Sequence, residues 1–437
     1  MEIVYKVSYF LLCVFLILMD TAVGAIAYVT LVITAIAVFF GQDDFVMENL
    51  VFLMPFALIF KNDPDATSFY TYLLLLYVVK KLIYGNRFPG YILLFFIFVA
   101  AIQVITDTFN PLRSVKLVAN LLFLYYAYSE RDKYKKTNLY ISFILSFTLA
   151  SLVAFLDSDV FRIDLYRANV DYIGEYTRYS GLNADANFYS INVIVALILL
   201  LLLHQKKKLP DILLGVIAVI LVYCAIQTYS KSVILMLVFP VFLFMYLNHK
   251  GQKTRTQILV IAALIVFAIN LAAGKIEALS VVFDRFKSGG KDLNSLTTGR
   301  TNLWHIYLQY YAEHPISTLF GFGLGADLQI TNKGAHNIYI DMIYHIGVIG
   351  EIWLFVILDA ISQERRDLSV KRTVVNYSVN TVIALMYAFL PGLFDFQLPV
   401  FLLLGFLVLE GDAKPLDPGR KKRKLLKSAV DLKGGRT

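Results

Sequence analysis

The 437-residue sequence is poor in charge and nearly devoid of cysteine. Charged side chains make up 16% of it, against about 25% in an ordinary soluble domain. The two cysteines, Cys13 and Cys224, sit inside apolar runs, so neither a disulfide framework nor a cysteine-based metal cluster is available. No internal repeat of the kind that marks an inverted-repeat transporter is evident. What is abundant is apolar. Hydrophobic residues account for 58% of the chain and the mean hydropathy is +0.67, more than a soluble fold can hide. One polytopic, all-α membrane unit is therefore expected in place of several soluble domains.

A membrane helix needs about 17–25 mainly apolar residues. Fourteen runs qualify as candidates, at roughly 3–19, 21–40, 45–60, 69–84, 89–106, 112–128, 139–156, 188–203, 211–228, 231–248, 257–273, 336–358, 374–391 and 396–410. Several are short, and the first two are broken only at Asp20–Thr21, so the expectation is about 12–14 transmembrane helices. The stretch to Met19 followed by Ala22–Ala25 resembles a signal peptide, but the apolar run behind it predicts a hairpin that is retained.

With fourteen spans both termini are cytoplasmic. The cytoplasmic segments are then Lys80–Arg87, Arg131–Lys136, Lys206–Lys208, Lys250–Arg255, Arg365–Arg372 and the tail, which with Lys6 hold most of the 40 lysines and arginines, as the positive-inside rule asks. Gly41–Asp44 falls on the same side yet carries no basic residue. The formal charge of +8 thus serves topology, and nucleic acid is not an expected partner. The organisation read from the chain is N-terminal transmembrane helices over 1–156, a first long outer loop over 157–187, central transmembrane helices over 188–273, a second long outer loop over 274–335, C-terminal transmembrane helices over 336–410 and a basic cytoplasmic tail over 411–437. The tail run Arg420–Lys424 is a topology determinant with weak affinity for anionic headgroups.

The outer loops hold the residues suited to chemistry. Trp304, Tyr307, Leu308 and Tyr311 lie at i, i+3, i+4 and i+7, which predicts a helix with one aromatic face, stopped by Pro315, that can lie at the membrane surface. Arg300 falls at its start, where free N–H groups and a guanidinium suit a phosphate; a solvated loop arginine is the plain alternative. His336 opens the next span. At about 100° per residue Gly347 returns to within about 20° of it, with Gly350 close by, so one stripe would hold an imidazole and two glycines that admit a neighbouring helix. For the histidine taken alone, an interfacial position above an ordinary small-residue packing seam is the favoured reading.

Asp185 or Asn187 can cap the span that follows the first loop. Arg178 and Lys231 are further cations on the outer side, where topology disfavours them; Lys231 can also snorkel. Asp63-Pro-Asp65 and Asp157-Ser-Asp159 have the Asp-x-Asp spacing of metal-dependent transferases that use nucleotide sugars, but both fall in outer segments, and no metal is expected. Intramembrane carboxylates (Asp20, Glu48, Asp341, Glu351 and Asp359) are costly and usually functional or paired; most of these lie near span ends, where pairing or snorkelling accounts for them.

His336-Asn337, nine residues, then Gly347-x-x-Gly350 resembles the motif of the O-antigen ligase and polymerase superfamily. Gly299-Arg300 with Trp304, His314-Pro315 and the glycines Gly321, Gly323 and Gly325 resemble the stretch that precedes it in that family. Ser230-Lys231 stands where the family has Ser-Arg, and Gly181 with Asp185-Ala186-Asn187 resembles its Gly…Asp-Pro-Asn segment, with alanine for proline. The resemblance covers about residues 175–355. It implies a C-type membrane glycosyltransferase without a cofactor, which takes a glycan from undecaprenyl pyrophosphate on the outer face of the bacterial inner membrane. On this reading His336 and Arg300 are catalytic. Arg178, Lys231, Arg300, Asn337, Asp185, Asn187 and Trp304 contact pyrophosphate or substrate, and the glycines 321, 323, 325, 347 and 350 are structural. The implied partners are lipid-linked glycans, membrane lipids and a chain-length regulator. The shared motif fits a repeat-unit polymerase of O-antigen or capsule and, equally by its residues, a ligase onto lipid A core; a flippase of lipid-linked oligosaccharide is the alternative of another class.

Overall fold

Apolar runs separated by short polar turns fold as helices, because inside a bilayer every backbone group must be satisfied within its own segment. The computed structural model describes residues 2–19, 27–60, 67–156, 172–173, 176–177, 179–183, 185–248, 299–326, 330, 334–364, 373–390 and 392–410. In chain order the helices are α1 (Glu2–Met19), α2 (Ala27–Phe40), α3 (Asp43–Leu53), α4 (Tyr70–Ile83), α5 (Gly90–Ile105), α6 (Pro111–Ser129), α7 (Lys136–Leu156), α8 (Ala186–Gln205), α9 (Asp211–Ile226), α10 (Lys231–Met236), α11 (Val238–Asn248), α12 (Arg300–Glu313), α13 (Pro315–Phe320), α14 (Ile338–Gln363), α15 (Val374–Tyr387) and α16 (Leu398–Glu410). A two-residue antiparallel pair, Tyr172–Ile173 with Tyr176–Thr177, is the strand structure among the described residues. The candidate span over 257–273, the loop stretches 157–171 and 274–298, and the tail over 411–437 lie outside the described residues, as do Asp20, Arg178 and the two Asp-x-Asp pairs.

Three of the described helices, α7, α8 and α14, are long and apolar enough to cross a membrane unaided. Others, such as α5, α9, α15 and α16, are apolar but shorter. The span expected over 231–248 divides into α10 and α11 at Leu237. Helix α8 is apolar around its whole circumference and buried along nearly all its length, as befits a central helix. It packs against α7, α9, α10, α11 and α15. The outward faces of α5 and α9 carry exposed Leu93, Leu94 and Ile97, and Ile212, Val216 and Val219, a surface suited to lipid.

One end of the bundle is tied by ion pairs. The turn between α2 and α3 brings Asp43 to Lys81 at 2.6 Å and Lys133 at 2.9 Å, and Lys133 also reaches Glu130 at 2.9 Å. Lys81 pairs with Glu130 as well. Lys6 bridges Asp44 and Glu48, each at 3.1 Å. Arg131 meets Glu410 at 3.0 Å and the Glu364 carbonyl at 2.7 Å. This answers the puzzle of Gly41–Asp44: the segment lacks basic residues because its acids bind the lysines of its neighbours. The same contacts place the C-termini of α6, α14 and α16 at this end, so their N-termini lie at the opposite one.

Burial works to raise the Asp43 carboxyl, but hydrogen bonds from Lys81 and Lys133 outweigh it and hold it below the ordinary value of 3.8. Its stabilisation is therefore complete above that value and is lost as pH falls through the lower folded value. Melting curves of the purified protein in detergent are expected to show this acid-induced loss, and Asp43→Asn to diminish it. Lys81→Ala, which leaves Asp43 and Glu130 to the more exposed Lys133, is expected to lower stability at neutral pH by less than the roughly 3 kcal/mol of a fully stranded buried charge.

Candidate active site

The opposite end is organised by a break in α14. Gly347 adopts φ 72° and ψ 171° inside the helix, which frees carbonyls of the preceding turn. Two of them are recovered by a loop: Phe322 N donates to Tyr344 O at 2.8 Å and Gly323 N to His345 O at 3.1 Å. The loop approaches so closely that a Cβ on Gly321 would lie 2.7 Å from His345 O, and one on Gly347 would overlap the backbone of Phe320 and Gly321. Gly321 also has φ 104°, so both positions need glycine on two counts. The far side of the loop docks on the turn between α5 and α6, where Gly325 N donates to Thr108 O at 2.8 Å. Gly350 faces α5, with the Phe98 ring 3.1 Å from where its Cβ would stand.

The helical count from His336 needs correcting. Helix α14 begins at Ile338, and Asn337 caps it, its side-chain oxygen accepting from Tyr339 N at 2.9 Å and Ile340 N at 3.3 Å. His336 precedes the cap with φ 49° and so lies off the face that carries Gly347. It is half-buried. A left-handed conformation at a residue with a side chain costs about 1–2 kcal/mol. The hydrogen bonds on either side, worth about 1 kcal/mol each, are sufficient to hold it.

Helix α12 starts at Arg300, behind Gly299 at φ 84°, and ends before His314-Pro315. Its buried face is Tyr307 and Tyr311, packed with Ala335, Ile340 and Tyr344; Leu308 is exposed. The Tyr311 hydroxyl donates to Ile340 O at 2.7 Å, and burial pushes it well above the ordinary tyrosine range. Trp304 Nε1 donates to Ala335 O at 2.9 Å. Helix α12 thus leans on the residues around His336, which puts Arg300, Trp304 and His336 on one assembly.

A second patch gathers around α8. Asp185 caps the helix by accepting from Asn187 N at 2.5 Å. The Asn187 side-chain oxygen accepts from Ser230 Oγ at 2.8 Å and Ser232 Oγ at 3.2 Å, so it is bound to the turn that carries the half-buried Lys231. Gly181, at φ 54°, sits against the Tyr189 ring. Asn183 accepts from Gln397 Nε2 at 2.7 Å, and Gln397 accepts from Asn192 at 2.9 Å.

Two contributors were missed at the sequence level. Arg113, near the start of α6, donates to Leu324 O in the glycine loop at 2.6 Å and lies 5.7 Å from the Phe394 ring centroid. On the topology expected from the sequence it is a cation on the outer side, the criterion that singled out Arg178, Lys231 and Arg300, and that signal could have found it. The other is the connector between α15 and α16. Phe389 meets Trp304 at 5.9 Å, Phe394 meets His345 at 5.4 Å, and Gln397 reaches Asn183. It links the two patches. His345 Nδ1 lies 3.2 Å from Gly323 O; a carbonyl only accepts, so that nitrogen carries the proton.

Gly347→Ala is expected to lower the stability of the purified protein well beyond the roughly 1–2 kcal/mol of left-handed strain, because the added methyl overlaps backbone. Gly85→Ala, at φ +82° with nothing within 4 Å of the added Cβ, should show the strain alone. Equal losses of melting temperature in the two variants would contradict the backbone-contact account.

Residues 216–355 match the family model described as O-antigen ligase. The match takes in Lys231, Arg300, Trp304, the glycine loop, His336 and the Gly347–Gly350 break, and leaves Arg113, Asn187 and Gln397 outside it. No curated protein matches the chain. The chain thus carries, over residues 216–355, a segment that matches the O-antigen ligase family, and its motif residues lie at one end of the helical bundle.

Proposed function

We propose that the protein polymerises oligosaccharide repeat units carried on undecaprenyl pyrophosphate into a surface polysaccharide, O-antigen or capsule, at the outer face of the bacterial inner membrane. The observation that carries this reading is the family-matched assembly of Arg300, Trp304 and His336, built at the end of the bundle opposite the ion-paired one. The ion-paired end is the cytoplasmic one on this reading, because it gathers basic turns together with Lys6 of α1 and Glu410 of α16.

The chemistry needs little beyond alignment and charge. An acceptor sugar hydroxyl attacks the anomeric carbon of the lipid-linked glycan. Its O–H proton passes to His336, the new glycosidic bond forms, and the bond to the pyrophosphate oxygen breaks with its electron pair leaving on the lipid pyrophosphate. Arg300, Lys231 and Arg178 steady the charge that develops on the departing phosphate, with Asn337, Asp185, Asn187 and Trp304 shaping the surroundings. No metal takes part in this scheme, and activity is expected to persist in excess chelator. A chain-length regulator is the expected protein partner.

The test is extension of lipid-linked repeats by the purified protein in proteoliposomes, read as a ladder of products. His336→Ala is expected to lower the rate by about 10²–10⁴-fold. Arg300→Lys is expected to impair it as well, since a point charge replaces a bidentate fork. In cells, deletion that leaves single repeat units on lipid A core supports the polymerase; intact polymer left on the carrier lipid assigns the ligase instead. Movement of lipid-linked repeats without extension would assign a flippase.

A further inference from the structure

Lys81 and Arg131 are buried at the ion-paired end, and each meets a carboxylate there. Arg113 differs from them. It is half-buried, yet among the described residues no carboxylate lies within ion-pair distance of it, and its guanidinium has Leu324 O, at 2.6 Å, as its hydrogen-bond acceptor. A guanidinium presents a whole fork of N–H donors, so most of this one is uncommitted. The side chain is nevertheless held in place. The Phe394 ring lies 5.7 Å from its Cζ, Phe394 meets the His345 ring at 5.4 Å, and His345 Nδ1 donates to Gly323 O at 3.2 Å. Gly323 precedes Leu324, so these contacts close a ring around the guanidinium. Its backbone is fixed too: Arg113 N donates to the Asn110 side chain at 3.0 Å, and Asn110 N donates to the buried Gln103 at 3.0 Å. A neutral donor would hold the Leu324 carbonyl as well. The charge and the rest of the fork, fixed in advance and without an acceptor of their own, suit an anion.

We propose that Arg113 binds a phosphate oxygen of the lipid-linked substrate, from the face of the glycine loop that docks on the turn between α5 and α6. This rests on the reading of the substrates as lipid pyrophosphates. Chain extension joins two of them: a donor, whose pyrophosphate leaves, and an acceptor, whose pyrophosphate stays. Both present the same chemistry to Arg113, and a planar fork matches phosphate oxygens in a way that a point charge does not. An arginine that merely clamped the loop would act through Leu324 alone, whereas a phosphate-binding arginine acts through its charge.

The experiment uses the full-length protein in nanodiscs, with undecaprenyl pyrophosphate as the probe and undecaprenol as its uncharged counterpart. Arg113→Gln is expected to weaken binding of the pyrophosphate about 10–100-fold, the range of one hydrogen bond to a charged group, and to leave undecaprenol unchanged. Thr108→Val removes the hydrogen bond from Thr108 Oγ1 to Phe322 O at 3.2 Å, another loop contact, but no charge; it is expected to leave both affinities as they are. Arg113→Cys can be alkylated selectively, because Cys13 and Cys224 are buried. An aminoethyl group there should restore affinity for the pyrophosphate, and a neutral group of equal size should not. These two forms differ in charge alone, so they decide the matter even if loss of the Leu324 contact loosens the fold. Unaltered affinity in Arg113→Gln, an equal loss in Thr108→Val, or rescue by the neutral group overturns the proposal. Transfer kinetics identify the source of the phosphate, using a donor that lacks the acceptor hydroxyl and an acceptor whose sugar is joined to phosphorus through carbon. In Arg113→Gln a raised KM for the donor assigns the leaving pyrophosphate, a raised KM for the acceptor assigns the retained one, and no rise in either overturns the proposal. Absence of glycan transfer by the unaltered protein overturns the functional reading alone, since the binding comparison still decides this one.

Discussion

The contact on which the candidate site depends is a backbone against a backbone: Gly321 lying on Gly347. A helix broken within a membrane exposes carbonyls that water cannot reach, and such a break persists only where protein groups recover them. Here the recovering groups are the amides of Phe322 and Gly323, and they come close enough only because neither glycine carries a Cβ. The break therefore captures the loop. The captured loop spans from α14 to the turn between α5 and α6, and Phe322 and Ala326 from it join the aromatic cluster beneath α12. Arg300, Trp304 and His336 inherit their placement from this one packing constraint.

At the other end the constraint is electrostatic. A chain with few charges concentrates carboxylates and basic side chains from α1, the α2–α3 turn, α4, the α6–α7 turn and α16 in neighbouring groups of ion pairs. Buried ion pairs are weak sources of net stability, yet they are costly to break singly. Their effect here is registration. They set which helix ends lie together, and so by the lengths of α6, α14 and α16 which residues meet at the far end. The two ends use different physics.

Periodicity and punctuation made much of this legible. The start of α12 at Arg300, its stop before Pro315 and the capping of α8 by Asp185 follow from short-range rules, and so they could be read along the chain. The stripe from His336 to Gly347 could not, because it assumed an unbroken helix beginning at His336. The cap at Asn337 and the break at Gly347 both interrupt the count. Arg113 was overlooked for another reason: its partner, the Leu324 carbonyl, is 211 residues away, and no local pattern announces a contact of that kind. The charge bias of the membrane would have marked it, had the rule been applied to α6 as it was to the loops.

The reach of the family-matched segment is also narrower than the site it helps to build. Its glycine loop rests on Thr108 and Arg113, its Trp304 rests on Phe389, and the Lys231 turn is tied through Asn187 to a helix that precedes the match. None of these supports lies within residues 216–355. A membrane offers helices no hydrophobic drive toward one another, so close packing and polar contacts between them carry the specificity. In this chain the connector between α15 and α16 supplies such contacts to both patches at once, through Phe389 and Phe394 on one side and Gln397 on the other. The motif residues can be recognised in isolation, but the geometry that would let them act together depends on helices from both sides of the motif.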